Sequence, residues 1–557
     1  MSPLLIWGLP DRTHDKLLFG GQPAWNAERF QVAAALQERR QRAAGADTDL
    51  NPLAVHERIV KLTSDESARA EILRRYRLFS RQPDEMITLM ALQRMQPREL
   101  DFDPRLYQYG GGYIYLVAGA IAVAALPGYT NLTADASLYL EQPELFARFY
   151  LVARFIVLIF GALTLVAVWK LTRRAAGRGG AWLAFLFVAC TPVFISGVLE
   201  AKPHVPAACL VLWAILSALN YHSHGRLRDV VMLGLQTGYA TSLVLTGVVA
   251  MAILPVLLVF RRQNEPPHCR VKHLLLAGAL AVGVYLATNP YVPYNFFFHR
   301  AALTSNVDNS TAMYANQMRQ VTAGAQRVGQ LLWESCGPGL LLVGLLGLAW
   351  LLRRRPGPTS IATASGLAML VIAILLGAGK PAEYARFLVL PVILLCAAAA
   401  SLLAVLSYRR LRWLAVLLAI ACIAPMKSAT YLRAFAIDAA GADESRHLAA
   451  QYIEQHARPI ESIAVLQEPA PYAVPPLDFA HRDLYLLPLV YHTDLRASEL
   501  PPWLVCTADD QMVHRKAWWQ RHYYLVRTFP PAGAQLSRIT WANKPVYIYR
   551  RQNLPIE

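Results

Sequence analysis

From residue 150 onward the chain alternates long apolar runs with short polar links. A helix needs about 20 residues to cross roughly 30 Å of hydrocarbon. Runs of that order predict helices near 150–169, 180–199, 204–221, 274–289, 331–352, 360–378, 386–407 and 411–427. The run 229–260 is too long for one crossing and has Gly247 near its middle, which predicts a hairpin of two short helices, 230–246 and 247–260. Ten crossings result. Tyr113–Pro127 is a further apolar run, too short to span, and predicts a helix lying in the outer interface or re-entering there.

The polar links carry the topology. Lys170–Arg178, His222–Arg228, Arg261–His273, Arg353–Arg355 and Tyr408–Arg412 follow alternate helices and hold sixteen Lys/Arg against one acid, Glu265. Short basic loops face the cytoplasm. The opposite links, Glu200–Pro203, Asn289–Gln330 and Gly379–Ala385, then face outward with the tail from Ser428 and the N-terminal region. Of the formal net charge of +17, only +2 is left outside the five basic links. No basic stripe with interleaved aromatics remains, so nucleic acid is excluded as a partner. With 55% hydrophobic and 16% charged residues, the chain is no disordered or ordinary soluble protein.

Three regions follow: an extracytoplasmic first loop with interfacial helices (1–149), a transmembrane bundle (150–427) and an extracytoplasmic α/β domain (428–557). Leu4–Leu9 reads as the last turn of a helix, which predicts a native start upstream with one more transmembrane helix. The fold class is therefore mainly α, a polytopic bundle of about 10–11 transmembrane helices with a C-terminal α/β domain. Helical periodicity marks 27–42 and 65–79. In the last region Asp443 is expected to cap a helix through Gln455. Short β-rich runs follow at Ile463–Leu466, Trp503–Cys506, Tyr523–Thr528 and Val546–Tyr549, with a Pro-rich loop at Glu468–Phe479. The seven cysteines suggest no disulfide framework. Gly110–Gly112 lacks the Lys-Ser/Thr of a phosphate loop and is read as a flexible lead-in to the helix that follows.

Candidate chemistry gathers on the outer links. Asp84 and Glu85 stand just after Pro83 at the start of an amphipathic segment. Such a pair caps a helix, or one carboxylate takes a proton from an acceptor hydroxyl while the other positions it or a metal. Glu200, Lys202 and His204 lie at an outer helix junction pinned by Pro203 and Pro206. Ionisable groups there either snorkel or serve function. Lys380, Glu383, Tyr384 and Arg386 open a late helix, and their cations suit a lipid phosphate or anchor the helix at the interface. Arg148 and Arg154 invite the same two readings.

This arrangement resembles the GT-C glycosyltransferases, in the branch of protein O-mannosyltransferases and lipid A aminoarabinose transferases. The resemblance rests on Asp84-Glu85 followed by "DPRLYQYGGGYIYL", on "ARFYLVARFIVLIFGALTLVAVWKLTRRAAGRGGAWLAFLFVACTPVFISGVLEAKPHVP", and on "YARFLVLPVILL". It covers most of residues 80–430. It implies an integral, multi-pass protein of the inner or plasma membrane, with an extracytoplasmic active site. There a hexosyl or pentosyl group passes, with inversion, from a polyprenyl-phosphate donor to an acceptor hydroxyl. Asp84 or Glu85 would activate the acceptor, and Lys380, Tyr384, Arg386 and Arg154 would bind the donor phosphate. The partners implied are the lipid-linked donor and membrane lipids; the acceptor is unspecified. No cofactor is fixed. His204 stands where the family often has Asp, so a divalent metal is left open. The alternative function class is a transporter or flippase of lipid-linked glycans, which would place charge at mid-membrane in repeated halves.

Overall fold

The computed structural model describes residues 3–32, 35, 60–61, 66–133, 135–260, 266–378, 385–408, 411–487, 499–507, 518–529 and 538–552. In chain order the strands and longer helices begin with β1 (Val60–Lys61), α1 (Glu66–Leu78), α2 (Glu85–Arg94) and α3 (Gly111–Ala125). Next come α4 (Pro143–Cys190), α5 (Pro192–Val198), α6 (His204–His224), α7 (Leu227–Leu243), α8 (Ile253–Val259) and α9 (Pro267–Thr288). Then follow α10 (Tyr291–Phe298), α11 (Arg300–Met318), α12 (Val321–Arg354), α13 (Pro356–Leu376), α14 (Val389–Tyr408) and α15 (Arg412–Ile423). The last are α16 (Ser428–Ala440), α17 (Ser445–His456), β2 (Ile463–Val465), β3 (Leu484–Leu486), β4 (Trp503–Thr507), β5 (Tyr523–Phe529) and β6 (Val546–Arg551).

Two compact units result. One gathers Met1–Met86, Ile121–Val152 and Leu432–Glu557; the other gathers Ile87–Ala120 and Ala153–Tyr431.

The second unit is a helix bundle, and each of the ten expected spans falls on helical backbone. Among the described residues seven helices are long and apolar enough to cross a membrane. The count is smaller for two reasons: neither half of the run 229–260 is long enough, and α4 holds the first expected span and most of the second, on either side of Gly177, whose φ of 71° breaks the helix. The expected span 180–199 is itself interrupted at Thr191, because Pro192 brings no N–H to the ladder and starts α5 instead. The run 229–260 is indeed a hairpin. Its break falls at Val244, in extended conformation, followed by a 3-10 segment Leu245–Ala252. At 15 residues α3 is about 22 Å long, short of a bilayer.

The first unit contains a six-stranded sheet in the order β1-β3-β2-β4-β6-β5. β2 runs parallel to β3 and β4, and the other pairs are antiparallel. In register, Ile463 faces Trp503 across β2–β4, and Leu504 faces Tyr549 across β4–β6. Leu504, Cys506, Trp519, Tyr523, Tyr547 and Tyr549 form one buried cluster. β1 and β3 were not anticipated: two or three residues cannot show alternation. The helix expected from Asp443 begins at Ser445 with Glu444 as its cap, because the Glu444 carboxylate reaches the His447 N–H at 3.0 Å. Of the periodic segment 27–42, residues 27–32 and 35 are helical, and the others lie outside the described residues.

Candidate functional site

In the sheet-bearing unit the site starts from a turn, Ser80-Arg81-Gln82-Pro83, that leads into α2. Asp84 donates its backbone N–H to Gln82 Oε1 at 2.6 Å, and its side chain is half-buried. Glu85, the first residue of α2, is buried and accepts a bond from Ser80 Oγ at 2.6 Å. The neighbouring carboxylates therefore have different surroundings. Glu85 sits at a helix N-terminus, where negative charge is favoured. Asp84 is the more accessible of the two.

The turn is held by charge. Arg81 is buried; its guanidinium meets Asp438 at 2.5 Å and Glu444 at 3.5 Å. Arg446 reaches Glu444 at 3.0 Å, and Asp438 also accepts the Asn543 N–H at 2.8 Å. His14 contacts Arg81, and its Nδ1 lies 3.0 Å from that of His447. Two buried guanidiniums face two buried carboxylates, the matched condition under which interior charges are tolerated. Burial alone would raise the Glu444 carboxyl, but Arg81 and Arg446 hold it well below the usual range. Burial first, and the Arg81 charge second, push His14 down to about 3, so its imidazole is neutral. None of these partners was foreseen; Arg81 and Asp438 are 357 positions apart.

The Pro-rich loop Glu468–Phe479 is largely buried in the same unit. Tyr76 donates its hydroxyl to the Val474 carbonyl at 2.6 Å, and Arg75 pairs with Glu468 at 2.8 Å. Beside it is a shallow cleft lined by Asp11, His14, Tyr76, Arg81 and Arg446.

The helical unit brings a second group together. Lys202 and Glu200 are both buried and form an ion pair at 3.3 Å, with Ser196 Oγ donating to Glu200 at 3.1 Å. His204, buried at the start of α6, lies edge-on to Tyr109 (ring centroids 6.0 Å) and to Phe387 (5.9 Å). The Arg386 guanidinium is 5.3 Å from the Phe387 ring. Three separated sequence segments thus converge: the turn at 200–204, the start of the late helix at 385–388, and the Tyr/Gly stretch at 109–113. Arg154 is fully buried within α4. Lys380, Glu383 and Tyr384 lie outside the described residues.

Tyr109 and Phe387 are the residues that the sequence reading missed here. Gly110–Gly112 was misread as a flexible lead-in. A Cβ on Gly110 or Gly112 would strike Ser242, and one on Gly111 would strike the Thr288 carbonyl. The Gly110 N–H donates to the Leu243 carbonyl at 3.2 Å, and the Gly111 N–H to Asn289 Oδ1 at 2.6 Å. The three glycines form a close-packed seam that fixes Tyr109 beside His204. Among the described residues no three His, Cys, Asp or Glu side chains are grouped to hold a metal ion.

Residues 144–287 match the family model for dolichyl-phosphate-mannose-protein mannosyltransferase. This bears out the GT-C resemblance over about a quarter of the chain, the part that carries Arg154, Glu200, Lys202 and His204. No curated protein matches the sequence. Among solved structures the chain is similar to the oligosaccharyltransferase AglB from Archaeoglobus fulgidus in complex with an inhibitory peptide and a dolichol-phosphate. That comparison has 14% identity, a TM-score of 0.42, and covers 95% of this chain and 74% of the other. The Archaeoglobus fulgidus oligosaccharyltransferase complex with Zn and sulfate is similar at 15% identity and a TM-score of 0.41, with 81% of this chain covered. This chain spans 62% of that protein's length. ArnT from Cupriavidus metallidurans, bound to undecaprenyl phosphate, is similar at 13% identity and a TM-score of 0.38, with 86% of this chain and 93% of the other covered. The long apolar helices make the chain an integral, multi-pass membrane protein, and residues 144–287 are similar to a glycosyltransferase family.

Proposed function

We propose that the protein transfers a sugar, with inversion, from a polyprenyl-phosphate donor to an acceptor hydroxyl on the extracytoplasmic face of the membrane. The observation that carries this reading is the match over residues 144–287 to a family named for a lipid-phosphate-linked sugar donor. The positive-inside pattern of the five basic links supports the side of the membrane.

In this reading Asp84 takes the acceptor proton, and Glu85 holds the start of α2. Their difference in burial supports the division of labour. Base catalysis of this type contributes typically about 10²–10⁴-fold. The leaving group is the lipid phosphate. Arg386, with Lys380, Tyr384 and Arg154, would bind it and stabilise the charge it develops as the anomeric C–O bond breaks. Glu200 neutralises Lys202, and the pair fixes the turn from which His204 faces Tyr109 and Phe387. The sugar transferred is a hexosyl or pentosyl unit.

Purified protein in vesicles, given polyprenyl phosphate bearing a radiolabelled sugar, tests the proposal. Release of polyprenyl phosphate with label passing to a hydroxyl acceptor supports transfer. Movement of intact lipid across the bilayer without cleavage supports transport and contradicts it.

A further inference from the structure

The helix α10 is built the wrong way round for water. Asn295, one of its polar residues, is buried, whereas Tyr294, Phe296, Phe297 and Phe298 are 47%, 54%, 70% and 70% exposed. Polar bonds keep the inner side in place: Asn295 Nδ2 donates to Asp103 Oδ2 at 2.7 Å, and the Phe102 N–H donates to Tyr291 Oη at 2.8 Å. Asp103 in turn accepts the Tyr107 hydroxyl at 2.9 Å. Inverting the helix to cover its aromatics would therefore remove one of the donors to a buried carboxylate and leave Asn295 without that partner.

We propose that α10 lies in the headgroup–acyl boundary of the bilayer, with Tyr294 and Phe296–Phe298 immersed in lipid and Asn295 turned to the protein. Two further observations identify the occupant as bulk lipid. The helix follows directly in sequence on α9, an apolar helix long enough to span, whose Leu275, Val282 and Leu286 are exposed. At the other end stands Arg300, exposed, with its guanidinium 5.5 Å from the Phe296 ring. A cation beside aromatics is the composition of the membrane–water interface, where rings sit at headgroup level and basic groups meet lipid phosphate.

The test uses the full chain in phosphatidylcholine–phosphatidylglycerol vesicles that contain no polyprenyl phosphate. Nitroxide labels are placed on Phe297→Cys and, separately, Tyr294→Cys, with the signal of the identically treated unsubstituted chain subtracted. Ile460→Cys, at a position 91% exposed in the sheet-bearing unit, is the aqueous reference. The expected result is relaxation by oxygen several-fold stronger, and by a water-soluble nickel chelate several-fold weaker, than at residue 460. Equal access of the chelate at 294, 297 and 460 overturns the proposal. So does dipolar broadening that disappears on dilution with unlabelled protein, because a second copy would then cover the face. A failure of sugar transfer leaves both readouts unchanged.

Discussion

Asp84 and Glu85 are neighbours in sequence but not in circumstance, and single substitutions separate their roles. Asp84→Asn removes the proposed base with little change in packing. It is expected to lower transfer by about 10²-fold or more while insertion and melting stay normal. Glu85→Gln acts on stability: Glu85 is buried and accepts the Ser80 hydroxyl, so an altered acceptor costs roughly 1–3 kcal/mol, read as a lower thermal midpoint. Lys202→Met leaves Glu200 charged and buried without its ion-pair partner. It should destabilise the helical unit by about 3–5 kcal/mol; a fall in membrane-inserted yield checks it. Individual residues were legible in sequence where chemistry clusters locally, as in Glu200-Ala201-Lys202-Pro203-His204. They were illegible where the partner is remote. Nothing near Arg81 announces Asp438 or Glu444, and nothing near His204 announces Tyr109 or Phe387.

At the scale of elements the chain advertises its spans because the bilayer sets a length, and length survives in any sequence window. That is why all ten expected spans coincide with helical backbone. Their ends were less legible. Whether Gly177 kinks a helix or terminates it depends on what packs around it, which has no signature in hydropathy. The same holds for Gly110–Gly112, where glycine signals either freedom or close approach and only the neighbouring Ser242 and Thr288 decide. Gly112→Ala is therefore predicted to destabilise α3 against Ser242 by about 1–3 kcal/mol through overpacking, whereas Gly119→Ala, inside α3 with open space around it, should stabilise slightly, by up to about 1 kcal/mol. Thermal unfolding of the two variants compares them directly. In the sheet, β4, β5 and β6 were legible because five to seven β-rich residues carry a pattern. β1 and β3 are formed by pairing alone.

For the whole molecule, buried charge gives pH dependence. The folded chain binds the His14 proton more weakly than the unfolded chain does, because burial and then Arg81 lower it from 6.5 to about 3. Protonation thus favours unfolding: stability is full above about 6.5 and falls as the pH drops through the window toward 3. Glu444 adds loss in the same direction at lower pH, since its depressed carboxyl gives up its stabilising charge only in acid. Hydrogen exchange of the β2 and β4 amides in the full chain should accelerate between pH 6.5 and 4.5, after correction for intrinsic rates. The slope should approach at most about 1.4 kcal/mol per pH unit for one proton, and His14→Gln should flatten it. A slope unchanged in His14→Gln would contradict the placement of a neutral His14 beside Arg81.

The central claim is lipid-phosphate-dependent sugar transfer, and one assay bears on it most directly. Protein reconstituted in vesicles is supplied with sugar-labelled polyprenyl phosphate and a hydroxyl acceptor, and free polyprenyl phosphate is measured for the unsubstituted chain and for inserted, folded Asp84→Asn and Arg386→Ala variants. The account predicts stoichiometric release of the lipid phosphate by the unsubstituted chain, with each variant reduced by about 10²-fold or more. Intact donor throughout, or full release by both variants, would contradict it.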